Sequence, residues 1–345
     1  WEPIARGPIP MFAAPPIAAL FSSRITSAPS SAACTAADSP EGPFTPEAEP
    51  IKGVGGIDPC VLIDTDGEAY IYWSGRGISV AKLKPNMKEL ASEPMQIQGL
   101  PDGFKEGPYA FKHNNKYYLT FPWVQDKTET LAYAMADSPM GPFTFTGIIM
   151  DESPSGCWTN HHSITEYNGQ WYLFYHHNDY SPNFDKNRSA RIDSLFFNTD
   201  GTIKKVKPTL RGVGITDARS KIQIDRYSTI SPYGVTIDYL EPSNTFEGWQ
   251  TLFNRAGTWV TYNKVDFGTT PVKRLKARVR SEKGGAITLR TPGEKGMTIA
   301  ELPIKPTGKW TEISTNVSNA PTSMQDLIIT QTGENPVAVD WISFE

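Results

Sequence analysis

The decapeptide DTDGEAYIYW, residues 64–73, sets an Asp-Gly turn signal before an aromatic strand with alternating character. The same arrangement returns as KHNNKYYLTF at 112–121 and as EYNGQWYLFY at 166–175. In each, the turn residues supply the left-handed backbone a tight hairpin needs, and the aromatics suit a pleated, half-buried strand. The last residues of the three, Trp73, Phe121 and Tyr175, stand 48 and 54 positions apart. A second element repeats as well: ADSPEGPFT at 37–45 and ADSPMGPFT at 136–144 are offset by 99 positions, close to two such periods. A period of about fifty residues with several short strands per unit is the pattern of propeller blades. A β-sandwich with coincidental hairpins leaves the paired nonapeptides unexplained.

Past SKIQIDRYSTISPYGV, residues 220–235, the pattern changes. Segments such as RLKARVRS, AITLRT, WTEIST and AVDWISFE alternate at strand period between closely spaced turn signals, which is the signature of a sandwich. The expected organisation is all-β: a propeller over residues 1–224 and a β-sandwich over 225–345.

A chain of 345 residues is long enough for two cores, and 39% hydrophobic content without a long apolar run argues against a membrane protein. A formal charge of -4 argues against nucleic acid as a partner, because displacing condensed counterions needs a basic face. Cys34, Cys60 and Cys157 are too few and too scattered for a disulfide framework or a closed zinc site, and are expected to pack as small apolar groups. The first 37 residues contain one acid, Glu2. Their MFAAPPIAALFSS imitates a signal core, but with a double proline and no basic leader, so no complete secretion signal is read there.

Blades of a propeller bring the starts of their inner strands to one axis, so functional groups should recur at the blade period. Just ahead of the successive strands stand Asp58 in GIDP, Glu106 in KEGPY, and His161 and His162 in TNHHS, at separations of 48 and 55. Taken singly, Asp58 before Pro59 reads as a turn cap and Glu106 before Gly107 as a solvated loop acid. The shared period favours a catalytic or metal cluster instead.

The stretches IDPCVLIDTDGEAYIYWSG, KEGPYAFKHNNKYYLTF, WTNHHSITEYNGQWYLFYHH and RSARIDSLFFNTDGTIKKV, in that order and spacing, resemble glycoside hydrolase family 43. These are five-bladed propellers that remove xylose or arabinose from plant polysaccharides with inversion. The resemblance implies that Glu106 is the general acid, its pKa raised by a low-polarity pocket, and that Asp58 is the carboxylate that tunes and orients it, not the base or nucleophile. It implies His161 at the propeller centre, where a calcium ion or water cluster is held. Arg188 matches an arginine that reaches the sugar, with His162 beside it, and Trp1 and Trp73 are candidate sugar platforms, as is Trp123. The implied partners are xylo-oligosaccharides or arabinoxylan, in a secreted or periplasmic rather than cytoplasmic setting; oligomeric state is not readable.

Two departures accompany the resemblance. The family's general base lies in an A-D-P motif in the first blade, ahead of the tryptophan matched by Trp1. No such motif is found, and RGPIPMFAAPP replaces the next blade's hairpin, so the N-terminal blade is expected to be incomplete or altered. Glu2, Asp38 and Glu41 are the nearby acids, and none fits the base. That gap keeps a non-catalytic glycan-binding propeller in view. The C-terminal region resembles a family 6 carbohydrate-binding module, with Trp310 matching a stacking tryptophan and Asp340 in the closing strand. Ala338 stands where an amide usually contacts sugar, which suits a structural partner over a tight glycan binder.

Overall fold

The computed structural model describes residues 41–104, 106–158, 160–179, 185–186, 188–294 and 296–345 in full, and the strands Ala18–Ser23 and Ala32–Ala37 as backbone. Among these residues the protein is all-β, with two short 3-10 turns at Ile224–Arg226 and Thr245–Glu247 and no α-helix. No helix is long and apolar enough to cross a membrane. The chain forms two compact units.

The first unit comprises Trp1–Glu152 and Phe197–Ile203. It holds a three-stranded sheet (Ala18–Ser23, Ala32–Ala37, Thr45–Pro46) and two four-stranded sheets. One of these runs Ile57–Ile63, Ala69–Ser74, Ile78–Leu83, Met95–Gln96, and the other Tyr109–His113, Lys116–Val124, Glu129–Ala136, Thr144–Met150. In all three each strand pairs with its sequence neighbour, antiparallel, as a propeller blade requires, and no sheet closes on itself. The hairpins turn where the sequence signals them: Gly67 has φ +85, and Asn114 and Asn115 have φ +46 and +61. The two four-stranded sheets share one core, in which Leu62, Tyr72, Ile78 and Val80 pack with Leu119, Phe121, Ala132 and Ala134.

A polar staple ties the same two sheets. Asp64 and Lys112 occupy equivalent places 48 residues apart, and Lys112 Nζ donates to Asp64 Oδ1 at 2.5 Å while the Tyr117 hydroxyl donates to Oδ2. Burial would raise the Asp64 carboxyl, but the hydrogen bonds from Lys112, Tyr117 and the Thr65 N–H outweigh it and hold it at about 2. Asp64→Asn leaves a partly exposed ammonium and a buried hydroxyl poorly matched and is expected to cost about 1–2 kcal/mol at pH 7, most of it at the hydroxyl. A carboxyl depressed in the folded state stabilises above its unfolded pKa and loses that contribution as pH falls through the folded value. The wild-type advantage over Asp64→Asn should therefore vanish between about pH 4 and about pH 2. Urea unfolding of both proteins across that range checks this, and a gap independent of pH would refute it.

The second unit comprises Ser153–Phe196 and Lys204–Glu345. It begins with a three-stranded meander, Ser163–Tyr167, Gln170–His177 and Ser189–Leu195. Two six-stranded sheets follow. One contains Trp259–Asp266, Met324–Gln331, Gly285–Arg290 and Thr298–Ile304, and the other Val235–Tyr239, Trp249–Phe253, Val337–Phe344, Arg274–Arg280 and Thr311–Asn316. Their inner faces build a single core from Phe253, Val260, Phe267, Leu275, Ile287, Leu327, Val339 and Phe344. RLKARVR shows how: Leu275, Ala277 and Val279 point in, and the alternate charges point out. The sandwich sheets also take in Thr216–Asp217 and Ile222–Gln223, ahead of residue 225.

Candidate active site

In the first unit, Asp58 lies on Ile57–Ile63, where pairing with Ala69–Ser74 slips register between Ile57 and Cys60. Such a bulge bends the strand and re-aims one side chain. Asp58 has φ +52, in the left-handed region that aspartate tolerates better than most non-glycine residues. Glu106 precedes Gly107, whose φ is +67, and the strand Tyr109–His113. Both acids are half-buried, and a carboxylate oxygen of each lies within 4.8 Å of the other. The structure thus brings together the two acids that the period of the sequence had paired.

In the second unit, His161 and His162 precede the strand Ser163–Tyr167, and His176 and His177 end its partner Gln170–His177. The His161 N–H donates to His176 Nε2 at 3.1 Å, so a neutral His176 carries its proton on Nδ1. Burial first, and then the neighbouring charge of His161, push His162 down to about 3; burial and the charge of Arg188 push His176 down to about 4. Both rings are therefore neutral near pH 7 and hold no spare proton for a leaving group. Arg188 is exposed, just ahead of the strand Ser189–Leu195, close enough for its charge to bear on His176.

Calcium takes six to eight oxygen ligands. Close to His161 in this unit stand His162 and His176, together with Asn160, whose buried Oδ1 lacks a hydrogen-bond partner among the described residues. No step below runs through a metal.

Trp73 is corrected by the structure. Its ring is 4% exposed and packs with Ile51, Val54, Ile71, Ala81 and Leu83, so it offers no face to a sugar. The strand Ala69–Ser74 is covered on both sides, and an aromatic there becomes core. Trp123 is half-buried, its Nε1 donating to Asp102 O at 2.7 Å. Trp1, Glu2 and Asp38 lie outside the described residues, and Glu41 is exposed. In the sandwich, the guanidinium groups of Arg278 and Arg280 stand 5.4 and 5.1 Å from the Trp310 ring, and Arg278 also pairs with Asp340 at 2.7 Å.

One polar network escaped sequence reasoning. Arg191, buried, donates from Nη2 to Asp179 Oδ2 at 2.8 Å, and His177 Nδ1 lies 3.5 Å from the same oxygen. Burial raises the Asp179 carboxyl, but the His177 hydrogen bond and the charges of Arg191 and His177 bring it below the usual carboxylate range. These three line a cleft of about 650 Å³ together with Tyr227. The usable signal was the alternation of RSARIDSL, which puts Arg191 and Asp193 on the same inward face as Leu195. Charges on a buried strand face need partners, and the partners come from distant loops.

The family model Glycosyl hydrolases family 43 matches residues 20–203, and the model Carbohydrate binding module (family 6) matches residues 231–345. A β-xylosidase of Xylanibacter ruminicola is 37% identical over 211 residues, 50% of this chain and 64% of that protein. Xylosidase/arabinosidase 43A of Humicola insolens is 36% identical over 217 residues, 50% of this chain and 65% of that protein. The chain thus matches less than two thirds of the length of these relatives. Among solved structures, a family 43 enzyme of Xanthomonas citri superposes with TM-score 0.52 at 31% identity, covering 56% of this chain and 70% of that one. A β-xylosidase/α-arabinofuranosidase from a compost microbial metagenome, solved with xylotriose, gives TM-score 0.51 at 31% identity over 56% of this chain and 71% of its own. With more than half its length matched by the family model and the family's fold in its neighbours, the chain belongs to glycosyl hydrolases family 43.

Proposed function

We propose that this chain is a glycosidase that releases xylose and/or arabinose from xylan-type polysaccharide or its oligosaccharides, with inversion. The observation that carries the reading is the pair of half-buried carboxyls, Asp58 and Glu106, within 4.8 Å on successive sheets of a family 43 chain. Glu106 protonates the departing glycosidic oxygen. Asp58, its carboxyl beside the acid, orients Glu106 towards the departing oxygen. Acid and base of an inverting enzyme stand about 6.5–9.5 Å apart to admit a water, and in this reading Asp58 is the acid's partner, with the base elsewhere. Arg188 and His162 contact the sugar, and Trp1 offers it a platform. The propeller is read as five-bladed with an altered first blade, and a polymeric substrate favours a secreted or periplasmic setting.

A retaining enzyme holds its nucleophile and acid about 5–5.5 Å apart, and the first-formed anomer is the measurement that decides between the two courses. Proton NMR of fresh digests of xylotriose should show α-xylose appearing first from the β-linked chain. Initial β-xylose would make Asp58 a nucleophile, and no pentose from xylotriose or arabinoxylan would reduce the chain to a glycan binder.

A further inference from the structure

The second unit carries a cleft that the proposed chemistry does not use. About 400 Å³ in volume, it is lined by Lys204, Lys205, Lys207, Arg211 and Lys264, with Asp193 the one carboxylate among its walls. Asp193 is already engaged: the Tyr175 hydroxyl donates to Oδ2 at 2.6 Å, and the Thr209 N–H and hydroxyl donate at 3.0 and 2.7 Å. Its hydrogen-bonding capacity faces the protein, and five cations face one anion in a chain of net charge -4.

The cations are not merely a solvated run. Arg211 Nε donates to Asn263 O, and Nη2 to Gly214 O and Thr216 Oγ1, while its guanidinium stacks 4.6 Å over the Tyr262 ring. All three acceptors are neutral, so the charge is held rigid without being compensated. Lys264 sits in a bulge of Trp259–Asp266 at φ +56, its N–H tied to Asp326 Oδ1 at 2.8 Å. Bulges re-aim side chains, and this one adds a cation to the cleft. Among the described residues Lys204, Lys207 and Lys264 form no side-chain ion pair. Beside them Phe196 is 51% exposed, its carbonyl accepting from the Lys204 N–H at 2.8 Å, which fixes an open aromatic face next to the lysines.

Fixed positive charge beside an exposed ring is the chemistry that recognises a sugar bearing a carboxylate: the ring packs on the sugar's C–H face and the cations meet the acid. We infer that this cleft binds a uronic-acid-substituted stretch of the glycan, holding acid-decorated chains on the protein. The glycan part of this inference rests on the function proposed above; the charge argument does not.

The test is calorimetry on the full chain carrying Glu106→Gln, so that ligand survives, with xylotetraose and the same oligosaccharide bearing one glucuronic acid. The acidic ligand should bind about five- to thirtyfold tighter in low salt, a preference that shrinks as salt is raised. Lys204→Glu with Lys207→Glu should abolish the preference, Lys204→Gln with Lys207→Gln should reduce it, and Phe196→Ala should weaken both ligands. Cleavage of neutral xylotriose by otherwise wild-type chain should be unchanged by the lysine variants. Equal affinity for the two ligands, a preference insensitive to the lysines, or a stronger response to an oligonucleotide of equal charge would overturn the inference. Pentose release without acid preference sinks the cleft alone, whereas acid preference without pentose release sinks the proposed activity alone.

Discussion

Glu106→Gln should lower kcat/KM on xylotriose by about a hundred- to ten-thousand-fold, the usual worth of a positioned acid. Glutamine keeps the size and hydrogen-bonding outline of the half-buried side chain but has no proton to give, so the melting temperature should stay near wild type. On a p-nitrophenyl xyloside the loss should be much smaller, because the phenolate departs without needing a proton in the transition state. That split between substrates separates a proton donor from a residue that only shapes the pocket, since a shape defect would reduce both alike. Asp58→Asn offers the matching contrast. Acting through Glu106, it should depress xylotriose turnover more than aryl-xyloside turnover, whereas removal of a nucleophile would abolish both substrates together. Equal losses on the two substrates for Glu106→Gln would remove it from the donor's role.

The hairpins were legible because their information is local. Gly67, Asn114, Asn115 and Gly169 occupy left-handed positions that few residues tolerate, so the turns announce themselves. The sandwich strands were legible for a similar reason, since one buried face forces strict alternation. The period alone paired Asp58 with Glu106, because repetition along the chain becomes proximity between sheets. Features that depend on distant pairing were not readable. GIDP reads as a turn before Pro59, yet Ile57–Ile63 is a strand whose slipped pairing with Ala69–Ser74 imposes the left-handed Asp58. Trp73 reads as either a sugar platform or a packing residue, and only the covered faces of its strand decide for packing. Asp179 and Arg191 meet across 12 positions of chain, a contact with no periodicity to betray it.

Gly56→Ala should be among the most damaging single-methyl changes in the chain, costing about 3–4 kcal/mol. Gly56 has φ +128, and a Cβ placed there would overlap the Ser74 carbonyl oxygen and stand 2.9 Å from its carbon. Ser74 is 1% exposed and ends the strand Ala69–Ser74, opposite Ile57, so the obstacle is buried backbone that has nowhere to retreat. Backbone strain alone explains only part of the expected loss. Gly67 also has positive φ, at +85, but a Cβ there meets nothing within 4 Å, so Gly67→Ala isolates the strain at about 1–2 kcal/mol. The excess in Gly56→Ala measures the clash. It also has a functional consequence, because Gly56 lies two residues before Asp58 and next to the register shift between Ile57 and Cys60 that sets this carboxyl near Glu106. Well below its melting temperature, Gly56→Ala should still lose at least about tenfold in kcat/KM on xylotriose, in line with the cost of small displacements at a reacting centre. Gly67→Ala should lose none. If both variants unfold at the same denaturant concentration, or if folded Gly56→Ala keeps full turnover, the close approach at Ser74 is not what holds Asp58 in place.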